Sequence, residues 1–461
     1  LREARHRAAR PHVAARRGKG AVMDTVDLLR QMIRNECVND GTDASGGEVR
    51  SVDLLRSELE GSGADFESYE PLPGRASLVG RIEGSDPAAP SMCWLGHTDV
   101  VPVNAERWSR DPFGGELVDG EVWGRGAVDM LSLTASMSVA FDRLARSGWK
   151  PRGTLVLAAV ADEEALGAHG AAWLAEHEAG AVVCDYVITE AGGIPLESPA
   201  GRRLPVMVGE KGSCWCRLRV SGTPGHGSQP LRTDNALVTA AEVVRRLASY
   251  RPTADIHGAW RAFVESMGWP DEMSATLLDP DRIDGLLEVM PELGLAREAH
   301  ACTHLTIAPT VVHGGSKLNV IPDTVEIDLD VRTLPGQDGA FVRAAIDDAV
   351  GDLSDKVEIV HLADDPSTDS PVSTPLWAAM ERVSERFHPG AALVPFFLVG
   401  ATDARFFRRL GSTAYGFGMF SDRLSFEQYA VMFHGDDERV DVDSLQMSTD
   451  MFEHLAREVL G

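Results

Sequence analysis

Apolar residues at Val26, Leu28, Leu29, Met32, Ile33 and Cys37 follow a helical period, and Val49, Val52, Leu54, Leu55 and Leu59 repeat it after Gly46. Strands are predicted at 76–82, 92–96, 154–160 and 184–189, with helices at 131–147 and 168–178 between them. The run from Leu155 to Ala161 is apolar throughout, which suits a strand buried on both faces. Such alternation marks an α/β fold, a mixed but mainly parallel sheet with helices on both faces. Ligands in these sheets collect beyond the C-terminal strand ends.

The pattern changes after about Val206. Residues 212–221 alternate like an antiparallel strand, 235–250 are helical, 305–312 and 324–332 read as strands, and 339–350 and 357–362 as helix and strand. That β-α-β-β-α-β order predicts an inserted α+β domain with one antiparallel sheet. Residues 251–300 read as an irregular, partly helical insert with several prolines. A helix at 375–387, a short strand and a last helix at 444–460 resume the first pattern. The expected organisation is a basic tail (1–22), a first catalytic part (23–206), an inserted lid (207–366) and a second catalytic part (367–461).

A net charge of −26 argues against nucleic acid or an anionic membrane as the main partner. No apolar run is long enough to span a bilayer. The six cysteines form no CxxC pair, and most sit in apolar stretches, so buried free thiols in a reducing cytoplasm are expected. Residues 1–22 are arginine-rich without periodicity; disorder is expected there, with Met23 as the initiator. Arg16-Arg17 lacks the hydrophobic segment of a twin-arginine signal.

Three predicted strands end in residues that bind metals: His97 with Asp99, Asp162-Glu163-Glu164, and Glu190, with Asp129 at a glycine-rich helix entrance. Consecutive acids after a core strand repel one another unless a cation offsets them, although acids also suit a solvated helix start. Imidazole with carboxylate suits zinc, manganese or cobalt. Glu163 and Glu164 are adjacent and cannot point identically, so one can bind metal while the other serves as general base to the attacking water. Asp129 also suits a helix N-cap, and Glu190, His226 and His434 taken singly read as ordinary strand-end or loop residues.

Taken jointly, Gly96-His97-Thr98-Asp99, Gly124-Arg125-Gly126-Ala127-Val128-Asp129-Met130, Asp162-Glu163-Glu164, Thr189-Glu190, Gly222-Thr223-Pro224-Gly225-His226, Asn319-Val320-Ile321-Pro322, Thr402-Asp403 and His434-Gly435 resemble a known family. It is the co-catalytic zinc metallopeptidase family of aminoacylase, carboxypeptidase G, succinyl-diaminopimelate desuccinylase, acetylornithine deacetylase and peptidase T. The resemblance implies two divalent metal ions, zinc foremost, with Asp129 bridging. Glu164 and His434 would complete one site, and His97 and Glu190 the other. Asp99 would orient His97, and Glu163 would be the general base. His226 would reach the scissile carbonyl from the lid, often across a homodimer, with Asn319 nearby and Thr402-Asp403 on the substrate side.

The expected activity is hydrolysis of an amide bond in a dipeptide, a C-terminal residue or an N-acyl amino acid. The alternatives are a biosynthetic desuccinylase or deacetylase, and a catalytically silent binding protein. Leu131 and Ser132 stand where the family often has lysine and glycine, and Ala401 where it usually has glycine. Asp364 and Asp365 occupy the region of a carboxylate-binding arginine, which argues against glutamate-type carboxypeptidase specificity.

Overall fold

The structure, a computed structural model, describes residues 23–461; the tail 1–22, and the disorder expected of it, lie outside the described residues. A ten-stranded sheet is built on four adjacent parallel strands, in the order Leu155–Val160, Met92–His97, Tyr186–Thr189 and Thr413–Gly416. Arg75–Ile82 and Asp65–Leu72 extend one side antiparallel. Gly201–Glu210 extends the other, carrying Ala392–Leu398, Leu196–Ser198 and Thr368–Asp369.

Strand geometry explains the all-apolar runs. Successive side chains point to opposite faces. Trp94, Leu155 and Leu157 enter one core with Phe141, Phe452 and Leu455, from the helices Leu131–Arg146 and Val442–Leu460. Cys93, Leu95, Val156 and Ala158 enter another core with Leu174 and Phe407, from Ala171–His177 and Ala404–Arg409. Both faces are therefore covered, as the pattern requires.

A separate antiparallel sheet holds Cys216–Ser221 between Thr324–Thr333 and Val357–His361, with Thr306–Gly314 on the outer side of Thr324–Thr333. Leu218, Val220, Ile327 and Leu329 pack with Val243, Leu247, Val342 and Ile346 of the helices Ala236–Ser249 and Gly339–Val350. The chain passes between the sheets on two segments that run together: Ser213 N–H donates to the Asp365 carbonyl at 2.8 Å, and Asp365 N–H to the Ser213 carbonyl at 2.9 Å.

The segment read as irregular and partly helical at 251–300 is helical through most of its length, in four short helices from Gly258–Met267 to Leu293–Thr303. They have a core of their own around Trp260, Val264, Leu277, Ile283 and Cys302. Trp260 Nε1–H donates to the Leu277 carbonyl at 2.9 Å. The helices lie against the large sheet, where the His257 ring meets Phe397 at 4.5 Å and the Lys211 ammonium donates to the carbonyls of Ala301 and His304. Among the described residues no helix is long and apolar enough to cross a membrane.

Candidate metal centre

The parallel strands place their C-terminal ends side by side, so residues far apart in sequence converge. His97 ends Met92–His97, and its Nδ1 lies 3.0 Å from the Asp99 backbone carbonyl. A carbonyl only accepts, so Nδ1 carries the proton and Nε2 presents its lone pair. That nitrogen lies 3.2 Å from Asp129 Oδ1 and 3.6 Å from Glu190 Oε2. His434 Nε2 lies 3.3 Å from the other oxygen of Asp129, Oδ2, and 3.2 Å from Glu164 Oε2. Each oxygen of Asp129 thus faces a different imidazole, each with one further carboxylate.

These separations suit metal binding. Two ligand atoms each about 2.1 Å from a zinc-sized ion at tetrahedral angles stand about 3.4 Å apart. Glu164 Oε1 is buried with no hydrogen-bond partner. Burial, then the neighbouring Asp129, raises Glu164, and the same two causes push Glu190 up to about 8. Burial, then Glu190, holds Glu163 well above the usual carboxylate range. On His434, hydrogen bonds to Asp129 and Glu164 raise it to about 10, which favours the charged imidazolium where burial disfavours the charged carboxylates. Positive charge among these acids relieves the repulsion, so the donor set fits two divalent cations. His97, Asp129 and Glu190 would hold one, and His434, Asp129 and Glu164 the other.

A polar framework joins the motif residues Asp99, Arg125 and Asp162 to Asn39, Glu48, Arg75 and Glu438, which no motif named, and holds the candidate ligands in place. Asp99 lies with Oδ1 3.6 Å from His97 Nδ1, while its carboxylate accepts the backbone N–H of Glu163 and of Glu164, both at 3.2 Å. Asn39 Nδ2 donates to Asp99 at 2.9 Å and to Asp162 at 3.1 Å. Arg75, fully buried, pairs with Glu48 at 2.9 Å and Asp162 at 2.5 Å. Glu438 holds the turn before Asp129: its Oε1 accepts the N–H of Val128 (2.6 Å) and Asp129 (2.9 Å), and its Oε2 that of Gly126 (2.9 Å) and Arg125 Nη1 (2.7 Å). Asn39, Glu48, Arg75 and Glu438 lie in polar or glycine-rich stretches that give no local sign of this role. The ligand turns also carry left-handed non-glycine residues, Asp162 (φ 70°), Ala191 (φ 70°) and His434 (φ 54°), a strain that concentrates where geometry is over-determined.

The remaining candidates fall into two groups. Asp403 is buried with neither carboxylate oxygen hydrogen-bonded; burial raises it to about 7, and its charge acts on Glu163. The Thr402 N–H donates to Glu210, which also pairs with buried Arg408. His226 and Asn319 come together elsewhere, on the two-stranded ribbon Gly225–His226 with Val320–Ile321. There Gly227 N–H donates to the Asn319 carbonyl at 2.9 Å, and Ser228 Oγ lies 2.7 Å from His226 Nδ1. Among the described residues, no hydrogen bond or ion pair joins that ribbon to the carboxylate–imidazole cluster.

Comparison with known proteins agrees with this geometry. The chain is 28% identical over 388 residues to N-fatty-acyl-amino acid synthase/hydrolase PM20D1.1 of Danio rerio, covering 81% of this chain and 73% of that one. It is 26% identical over 436 residues to aminoacylase-1 of Sus scrofa, covering 92% and 93%. Its fold matches a metallo-carboxypeptidase, Sso-CP2 of Sulfolobus solfataricus, with a TM-score of 0.71 at 17% identity, covering 95% of this chain and 99% of that one. Residues 93–458 match the peptidase family M20/M25/M40. The chain therefore belongs to peptidase family M20/M25/M40, and is a metal-dependent hydrolase of amide bonds.

Proposed function

We propose that the protein hydrolyses the amide bond of a small substrate, a dipeptide, a C-terminal residue or an N-acyl amino acid, with Glu163 as general base. The observation that carries this reading is the Asp129 carboxylate, split between His97 and His434 with Glu163 beside it. Bound cations, zinc foremost, would polarise the amide carbonyl and acidify the attacking water. Glu163 takes the proton from that water and returns it to the departing nitrogen. Burial and the charge of Glu190 raise its proton affinity, as a base working near neutral pH needs. Asp99 holds the Glu163 and Glu164 amides, and so sets the direction of both carboxylates.

The small sheet acts as a lid in this reading. His226 and Asn319 would supply donors to the carbonyl oxygen, from the partner copy of a homodimer. Thr306–Gly314 is an edge strand that carries half-exposed Val311 and Val312, and Leu318, Leu231 and Val238 stand exposed nearby in the same lid. Such an edge is a template for pairing with a second chain. Two relatives named for acyl amino acids, the N-fatty-acyl-amino acid synthase/hydrolase and aminoacylase-1, support N-acyl amino acids among the substrates.

The test is Glu163→Gln, assayed on dipeptides and N-acyl amino acids with zinc, cobalt or manganese. The expected outcome is a fall in kcat of about 10²–10⁴ with bound metal retained. Undiminished hydrolysis would remove Glu163 from its role.

A further inference from the structure

Away from the carboxylate–imidazole cluster, two thiols and an imidazole converge at the base of the small sheet. Cys216 and His361 are direct cross-strand partners in the pairing of Cys216–Ser221 with Val357–His361. Cys214 precedes Cys216 by two residues. Its Sγ lies 3.6 Å from His361 Nδ1, and Cys216 Sγ lies 3.7 Å from the same nitrogen. All three ligand atoms fall within 4.8 Å of one another. We propose that Cys214, Cys216 and His361 form a third cation site, selective for a thiophilic ion such as zinc, which ties together the two segments joining the sheets.

The geometry and the chemistry agree. Zinc bonds of about 2.3 Å to sulfur and 2.0–2.1 Å to nitrogen, at tetrahedral angles, put sulfur and nitrogen about 3.6 Å apart. Thiolate with imidazole selects zinc or copper(I) over magnesium or calcium. Both cysteines are buried while His361 is exposed, so the cluster is dry on its thiol side and open to solvent on the imidazole side. The fourth position faces solvent, where water or the exposed carboxylate of Asp364 can complete the shell.

The location gives the site its consequence. Cys214 directly follows Ser213, which is bridged to Asp365. His361 lies four residues before Asp365 on the returning segment. A cation held by both segments therefore locks them in register at the point where the small sheet would swing against the large one. The site is independent of the hydrolytic reading, because its ligands lie outside the other cluster.

Cobalt(II) separates the two kinds of site, since only this one offers sulfur. The full chain, reduced and stripped with a chelator, is titrated with cobalt(II) and then with zinc. The expected result is a thiolate-to-cobalt charge-transfer band in the near ultraviolet whose full amplitude belongs to one of three bound equivalents and which is bleached by zinc. Cys214→Ser and His361→Asn should each lose the band and that equivalent, while the nitrogen–oxygen centre keeps its cations. His361 is exposed, so its replacement leaves packing untouched should the cysteine variant fail to fold. A native spectrum without the band, or a band that survives His361→Asn, would overturn the site.

Discussion

Glu438 shows how much of the metal centre depends on a residue that need not touch metal. Its two oxygens satisfy three backbone N–H groups of the Asp129 turn and the Arg125 guanidinium. Glutamine in its place has one acceptor oxygen and turns an amide N–H₂ towards donors. Glu438→Gln should weaken metal binding by about 10–100-fold, the usual effect of losing a group that orients ligands; competition with a chromophoric chelator measures it. Asp403 offers a pH signature. Burial raises its carboxyl from 3.8 to about 7, so the native state holds a proton that the unfolded chain releases. Stability from this group is full below pH 3.8 and is lost as pH rises to about 7, beyond which it is level. Each unit of that shift corresponds to about 1.4 kcal/mol. Asp403→Asn removes the slope, so in chelator-stripped protein its advantage in Tm should widen from pH 4 to pH 7 and then stay constant.

At the level of elements, the ligand turns are pressed against neighbouring strands by glycine. A Cβ on Gly416 would lie 1.7 Å from the Glu190 carbonyl oxygen, and one on Gly170 at 1.7 Å from that of Ala161. Gly416→Ala must push the Glu190 turn aside. Thermal melts should show a loss of about 1–3 kcal/mol, and metal analysis a reduced content. The central strands were legible because Leu155–Val160 and Met92–His97 are apolar on both faces. The small sheet was legible because Cys216–Ser221 and Thr324–Thr333 alternate cleanly between buried and open positions. Asp65–Leu72 escaped notice as an edge strand that is mostly open to solvent, with no alternation to reveal it. Thr413–Gly416 is too short for a period, although it sits in the middle of the sheet. Among the candidate ligands, His97 and Glu164 were readable from their place at strand ends, whereas Asp129 stood at a glycine-rich helix entrance and Glu190 and His434 stood out only through the family resemblance. The Glu48–Arg75–Asp162 network was not, since long-range ion pairs leave no local pattern.

Over the whole molecule, the small sheet ends in two edge strands, Thr306–Gly314 and Val357–His361, and the proposed homodimer can be tested at the first. Val312→Lys places a charge on that edge, a device that blocks edge-to-edge pairing. Sedimentation should shift from dimer to monomer, and hydrolysis should fall if His226 acts across the interface. The chain path carries a different consequence. Thr413–Gly416 slots between Tyr186–Thr189 and Gly201–Glu210, and His434 and Glu438 follow it still later. On a ribosome making about 5–20 residues per second, the early strands must wait for their central neighbour until residues 413–416 have emerged. With His434 a ligand, as proposed, hydrolytic competence arrives only once that residue has been made, and a shorter nascent fragment, however well folded its first half, remains inert.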